Sequence, residues 1–218
     1  MQNGALYRCK NFLPDVYLGD PINVIQVLSI MQAHEISLVN ISDQHHSQLS
    51  LREIFSSSFV PISYGGSISS VDDAVELINT GCEKIILGSH YYQNSDLSEQ
   101  IASSVGRQSV VLAIDVRLVN GVYELYTNQG LTKLDISLRD TLINAEKKGI
   151  GEIHLTRIDL TGTLCGVDFT LAKFASEHTS LPLVLGGGLK PNDLQSRHRL
   201  QQVSYSGSTL FSVRPPLD

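Results

Sequence analysis

The sequence predicts an α/β fold of parallel βα units, because short β-rich apolar runs alternate with longer stretches of helical period, and the apolar runs show little polar alternation. Strands joined by crossover helices pair in parallel, and cover on both faces removes the polar half of the usual strand pattern. A repeat is the third observation. Tyr64-Gly65-Gly66-Ser67-Ile68 follows an apolar run holding Pro61, and Leu185-Gly186-Gly187-Gly188-Leu189 follows one holding Pro182.

Taken in chain order, the strand candidates are Ile36–Ile41, Phe59–Ser63, Lys84–Leu87, Ser109–Asp115, Glu152–Ile158, Leu181–Leu185 and Gln202–Ser206. Helices are expected near Ile22–Ala33, Val71–Thr80, Leu97–Val105, Ile136–Lys148 and Thr170–Glu177, where apolar residues recur at helical spacing. The run Val122–Thr127 breaks the rhythm: it alternates and ends at Asn128-Gln129-Gly130, as a hairpin inserted in a βα loop would. Ser56–Ser58 reads as a loop.

At 218 residues and 42% hydrophobic the chain can bury one good core, and nothing resembling a linker divides it, so residues 1–218 read as one domain. A net charge of −6 argues against a nucleic-acid partner held by phosphate contacts. The first residues carry no signal-peptide pattern and no apolar run reaches membrane-spanning length, so a cytoplasmic protein without membrane contact is expected. Cys9, Cys82 and Cys165 are too scattered for a disulfide framework and read as reduced thiols. The seven histidines show no ligand spacing, so no metal site is expected.

The repeat extends beyond the glycines, since Glu35-Ile36-Ser37-Leu38 is echoed by Glu152-Ile153-His154-Leu155. A duplicated (βα)4 half accounts for both echoes and gives an eight-stranded barrel. Glycine turns bring backbone close to a ligand, and amides there favour an anion. Two such turns suggest a substrate with two phosphates; the plain alternative is that βα units often carry glycine in their turns.

Asp115 closes the apolar strand Val110–Ile114, the position where barrels carry catalytic groups, and burial there would raise its pKa toward acid or base work. It could equally cap a helix or pair with Arg117. Asp159 ends the matching run of the second half, ahead of Gly162-Thr163, or is an ordinary Asp-turn.

These residues resemble a known family, the cyclase subunit of imidazole glycerol phosphate synthase, including its relatives in surface-sugar amidination. The matching pieces are Asn11-Phe12, Gly19-Asp20-Pro21, Pro61 with Tyr64–Ile68, Glu83-Lys84, Val111–Asp115, Tyr123–Thr127, Gly151–Ile153, Asp159 with Gly162-Thr163, and Gly187-Gly188. They cover nearly the whole chain. The resemblance implies a TIM-type (βα)8 barrel of two similar halves, incomplete here at the first strand and last helix. It implies one phosphate site at Gly66, Ser67, Gly88 and Ser89 and a second at Thr163, Gly188, Gly207 and Ser208. It further implies Asp115 as a catalytic residue, Asp159 as an accessory one, and a glutaminase partner whose ammonia enters past Glu35, Lys84 and Glu152. No cofactor is implied.

The family uses two catalytic aspartates, and the first would match a position ahead of Met1. Asn40 stands for a usual aspartate, Thr161 for another, and Ser67 for the third glycine of a turn. The function the resemblance implies is ammonia-dependent formation of imidazole glycerol phosphate from a bisphosphate ribosyl-aminoimidazole precursor. Sugar amidination, or a non-catalytic barrel that keeps phosphate binding or glutaminase docking, are the alternatives.

Overall fold

Short polar side chains cap several helices of this chain. Asp20 caps α1 (Pro21–Ile30) by accepting the amides of Ile22 and Asn23, with proline in the first turn where no donor is needed. The computed structural model describes residues 1–31, 33–42, 48–94, 96–190, 193 and 203–206. The chain divides into two compact units, one of Met1–Tyr7, Val16–Leu112 and Lys148–Gly151, the other of Arg8–Asp15, Ala113–Lys147 and Glu152–Asp218.

In chain order the first elements are β1 (Leu6–Lys10) and β2 (Leu13–Gly19), a two-stranded ribbon that precedes α1. The first unit continues as β3 (Ile36–Val39), α2 (Gln48–Ser56), β4 (Ile62–Gly65), α3 (Val71–Thr80), β5 (Lys84–Leu87), the short α4 (Ser89–Gln93), α5 (Leu97–Val105) and the start of β6 (Val110–Val119). β3, β4, β5 and the start of β6 pair in parallel, in chain order. Ser70 and Asp73 close a reciprocal capping box on α3, and Gly81 ends that helix in the left-handed region at φ 118°. β4 is buried along its whole length, as a strand covered on both faces must be. β3 alternates instead, with Ser37 and Val39 exposed. At the end of β3 the Met1 ammonium donates to the Val39 carbonyl, and the Ile41 amide donates to the Met1 carbonyl at 2.9 Å.

The second unit takes up β6 and follows with β7 (Val122–Thr127), β8 (Thr132–Ser137), α6 (Leu138–Ala145), β9 (Glu152–Arg157), α7 (Phe169–Ser176), β10 (Leu183–Gly186) and β11 (Val203–Ser206). β9, β10 and β11 pair in parallel, while β6, β7 and β8 form an antiparallel meander. Ile153, Leu155, Leu171, Ala172, Leu183 and Leu185 are all at most 2% exposed and form its core. Among the described residues no helix is long and apolar enough to cross a membrane.

The parallel βα units match the fold class expected from the sequence, and α3, α5 and β5 keep the expected bounds. Other elements shift, and three differences bear on the fold. β6 runs four residues beyond Asp115 because the hairpin pairs directly with it: Asp115 lies opposite Tyr126 and Val119 opposite Val122. The serines expected as a loop begin inside α2, which ends at Ser56; Ser57 then bonds back to the Ile54 carbonyl at 2.7 Å. Leu51, Ile54 and Phe55 bury that helix, and the neighbouring polar residues hid their spacing. The ribbon β1–β2 was not expected, since most of β2 is exposed and shows no buried face to read.

Candidate functional site

Each unit carries one glycine turn, built the same way. At the first, Gly66 (φ 123°) and Ser67 (φ 54°) both lie in the left-handed region. A β carbon at Gly66 would sit 2.3 Å from the Asn40 carbonyl oxygen, so only glycine lets the turn cross the end of β3. At the second, Gly187 (φ 98°) and Gly188 (φ 78°) repeat the geometry, and a β carbon at Gly187 would sit 2.4 Å from the Arg157 carbonyl oxygen at the end of β9.

The amides in these turns are open. Among the described residues, no acceptor takes the N–H groups of Gly66, Ser67 and Ile68, or of Gly187, Gly188 and Leu189. Successive unpaired amides in turn backbone form an anion-binding concavity. Gly88 follows β5, with open space where a side chain would project; Ser89 begins α4. In the second unit the Thr163 hydroxyl donates to the Leu160 carbonyl at 2.7 Å and so holds the loop after β9 closed. Gly207 and Ser208 lie outside the described residues.

Asp115 is half-buried on β6, at the point where that strand leaves its parallel partner for the hairpin. Burial alone pushes its carboxyl up to about 7, with no hydrogen bond or ion pair to the carboxyl among the described residues to offset it. It neither caps a helix nor pairs with Arg117. That guanidinium donates to the Gly130 carbonyl at 3.2 Å and lies 5.1 Å from the centre of the Tyr126 ring. A carboxyl poised near neutrality and free of partners can give or take a proton.

Asp159 is held differently. The Arg157 guanidinium grips it with two bonds, 2.8 Å and 3.2 Å long, while a third N–H goes to Asp168. Tyr123 of the hairpin donates to the same Asp168 oxygen at 2.9 Å, and Asp168 also caps α7 through the Leu171 amide. Burial raises the Asp168 carboxyl, but the Leu171 amide, Arg157 and Tyr123 outweigh it and hold the group below the usual carboxylate range. Burial, then the neighbouring Asp168, pushes the Tyr123 hydroxyl up to about 12, so it stays a donor. Arg157, Asp168 and Tyr123 were absent from the sequence reading. Asp168 ahead of Phe169 is a helix-start signal, but nothing in residue spacing joins it to Arg157 and Tyr123.

Each of the charged residues expected at the ammonia entrance has a partner within its own unit. Glu35 and Lys84 bond at 2.7 Å within the first unit, each side chain about a quarter exposed or less, and the second Glu35 oxygen is buried without a partner. Within the second unit Glu152 meets His154 at 2.8 Å. Of the thiols, Cys82 is buried, and burial pushes it up to about 12, which makes it inert.

The chain matches the family described as "Histidine biosynthesis protein" over residues 2–207. It is 33% identical to the putative imidazole glycerol phosphate synthase subunit HisF of Leptospira interrogans, across 97% of this chain and 86% of that protein. The imidazole glycerol phosphate synthase subunit HisF of Thermotoga sp. (strain RQ2) is 32% identical over 86% of this chain and 76% of its own length. That of Hyphomonas neptunium is 31% identical over the same shares.

Proposed function

The chain belongs to the histidine biosynthesis protein family, among the cyclase subunits of imidazole glycerol phosphate synthase, and on that premise we propose the chemistry it performs. It is a TIM-type α/β protein that joins ammonia to a phosphorylated ribosyl-aminoimidazole precursor and closes the imidazole ring of imidazole glycerol phosphate. A glutaminase subunit supplies the ammonia, and the work is done in the cytoplasm without a cofactor.

The observation that supports this reading is the repetition of one anion-binding device in both units, with three open amides in each turn. One turn, with Gly66, Ser67, Gly88 and Ser89, takes one phosphate. The other, with Thr163, Gly188, Gly207 and Ser208, takes the second. Asp115 supplies the proton-transferring group, protonated up to about pH 7 and ionised above it. Asp159, held by Arg157, is an accessory carboxylate. Glu35, Lys84 and Glu152 line the ammonia entrance, where the unpartnered Glu35 oxygen can accept an N–H.

A second reading, a protein that binds phosphate and docks a glutaminase without turnover, is favoured by Asn40. This buried amide stands at the end of β3, and its oxygen accepts from the Ser42 amide and hydroxyl at 3.2 Å and 2.8 Å. An amide cannot transfer a proton there. Ammonia-dependent turnover of the bisphosphate ribosyl-aminoimidazole substrate separates the two. Turnover that falls by about a hundredfold or more in Asp115→Asn supports the enzyme. Turnover no higher than in that variant, with phosphate binding intact, supports the binding protein.

A further inference from the structure

Lys190 follows the second glycine turn, and its backbone is pinned. Its amide donates to Asp193 Oδ2 at 3.0 Å, and the Asp193 amide returns to the Lys190 carbonyl at 3.0 Å. The same Oδ2 accepts the Val167 amide at 3.2 Å, so this 5% exposed carboxylate bonds main-chain donors and, among the described residues, makes no ion pair with the lysine ammonium.

The ammonium lies over Gly166. A β carbon at that glycine would stand 3.2 Å from Lys190 Nζ and 3.4 Å from Cε, so the absent side chain makes room for the lysine stem. Gly166 in turn donates to the Gly188 carbonyl at 2.7 Å, tying the loop that carries Thr163 to the turn that carries the open amides. The half-buried ammonium is thus held where that loop and that turn meet, and no carboxylate within ion-pair distance claims it among the described residues.

We propose that Lys190 is the counter-ion of the phosphate bound at Gly187, Gly188 and Leu189. This rests on the reading of the glycine turns as phosphate sites and adds a charge to one of them. Open amides fix an anion's position, and a lysine ammonium contributes a point charge that the amides lack. Among the described residues the first unit has no equivalent lysine at its turn. In its turn the residue aligned with Lys190 is Ser69, whose hydroxyl donates to Asp73 at 3.1 Å. The two sites are therefore unequal: the second favours the more highly charged phosphate, and its affinity depends more steeply on salt.

The test is an amide NMR titration of the full chain with inorganic phosphate, which reads both turns in one sample. In the native protein the amides of 66–68 and 187–189 both shift. In Lys190→Met the dissociation constant read at 187–189 rises about tenfold, that read at 66–68 is unchanged, and Lys190→Arg stays within about threefold of native. Equal affinity at 187–189 in native protein and Lys190→Met overturns the role of Lys190 alone. No phosphate-dependent shift at 187–189 in the native protein overturns the reading of the turn itself.

Discussion

Asp115→Asn should make the protein more stable at pH 8 while removing its turnover. In the folded chain burial holds the Asp115 carboxyl near 7, against 3.8 for an unburied aspartate. Between those values the native state keeps a proton that the unfolded chain has lost, so stability falls as pH rises through that window. The cost is fully present above pH 7 and absent below about pH 4. It amounts to about 2–4 kcal/mol, the lower figure allowing for water that reaches a half-buried group. Asparagine has the same shape without the charge, so it recovers that energy at pH 8 and nothing at pH 4. Denaturant melts at the two pH values check the difference. On the proposed function, the rate should bend near pH 7, falling above it where Asp115 works as an acid, and falling below it where it works as a base. On that reading, the stability cost is the one a residue kept for its chemistry carries.

Arg157→Ala should destabilise the protein near neutral pH by about 3 kcal/mol, the cost of leaving a buried carboxylate without its cation. The Asp168 side chain is 8% exposed and would keep only the Leu171 amide and Tyr123. The Asp159 pair adds little, because that side chain is 38% exposed and solvent screens it. Because Asp168 titrates low in the folded state, the Arg157 contribution is present above the ordinary carboxylate range and is lost as acid protonates Asp168. The native protein and the variant should therefore converge in stability at low pH. Equal losses at pH 7 and pH 3 would mean that Arg157 acts through packing of its stem. The same bonds join β9, the start of α7 and the hairpin.

The βα rhythm was legible because periodicity reports burial directly: β5, α3 and α5 keep their expected bounds. The glycine turns were legible because left-handed backbone crossing a strand end admits almost no other residue, as Gly66 against Asn40 and Gly187 against Arg157 illustrate. Ser67 adopts φ 54° without being glycine, which residue type alone could not have revealed. Asp115 was legible from its place at the end of an apolar run, but its freedom from Arg117 depended on where Gly130 and Tyr126 fall in the hairpin. The Arg157 network was not legible, because long-range hydrogen bonds leave no period in a sequence. Lys190 was hidden for the same reason: its surroundings are set by Asp193, Gly166 and Gly188, each on a different turn.

The central proposal is that the glycine turn of each unit binds a phosphate group. Calorimetry with the bisphosphate ribosyl-aminoimidazole and with its two monophosphate counterparts tests it most directly. The expected result is one bisphosphate per chain, bound at least about tenfold more tightly than either monophosphate, with the advantage shrinking as salt rises. Equal affinity for the bisphosphate and one of the monophosphates would show that only one turn binds, and would contradict the account.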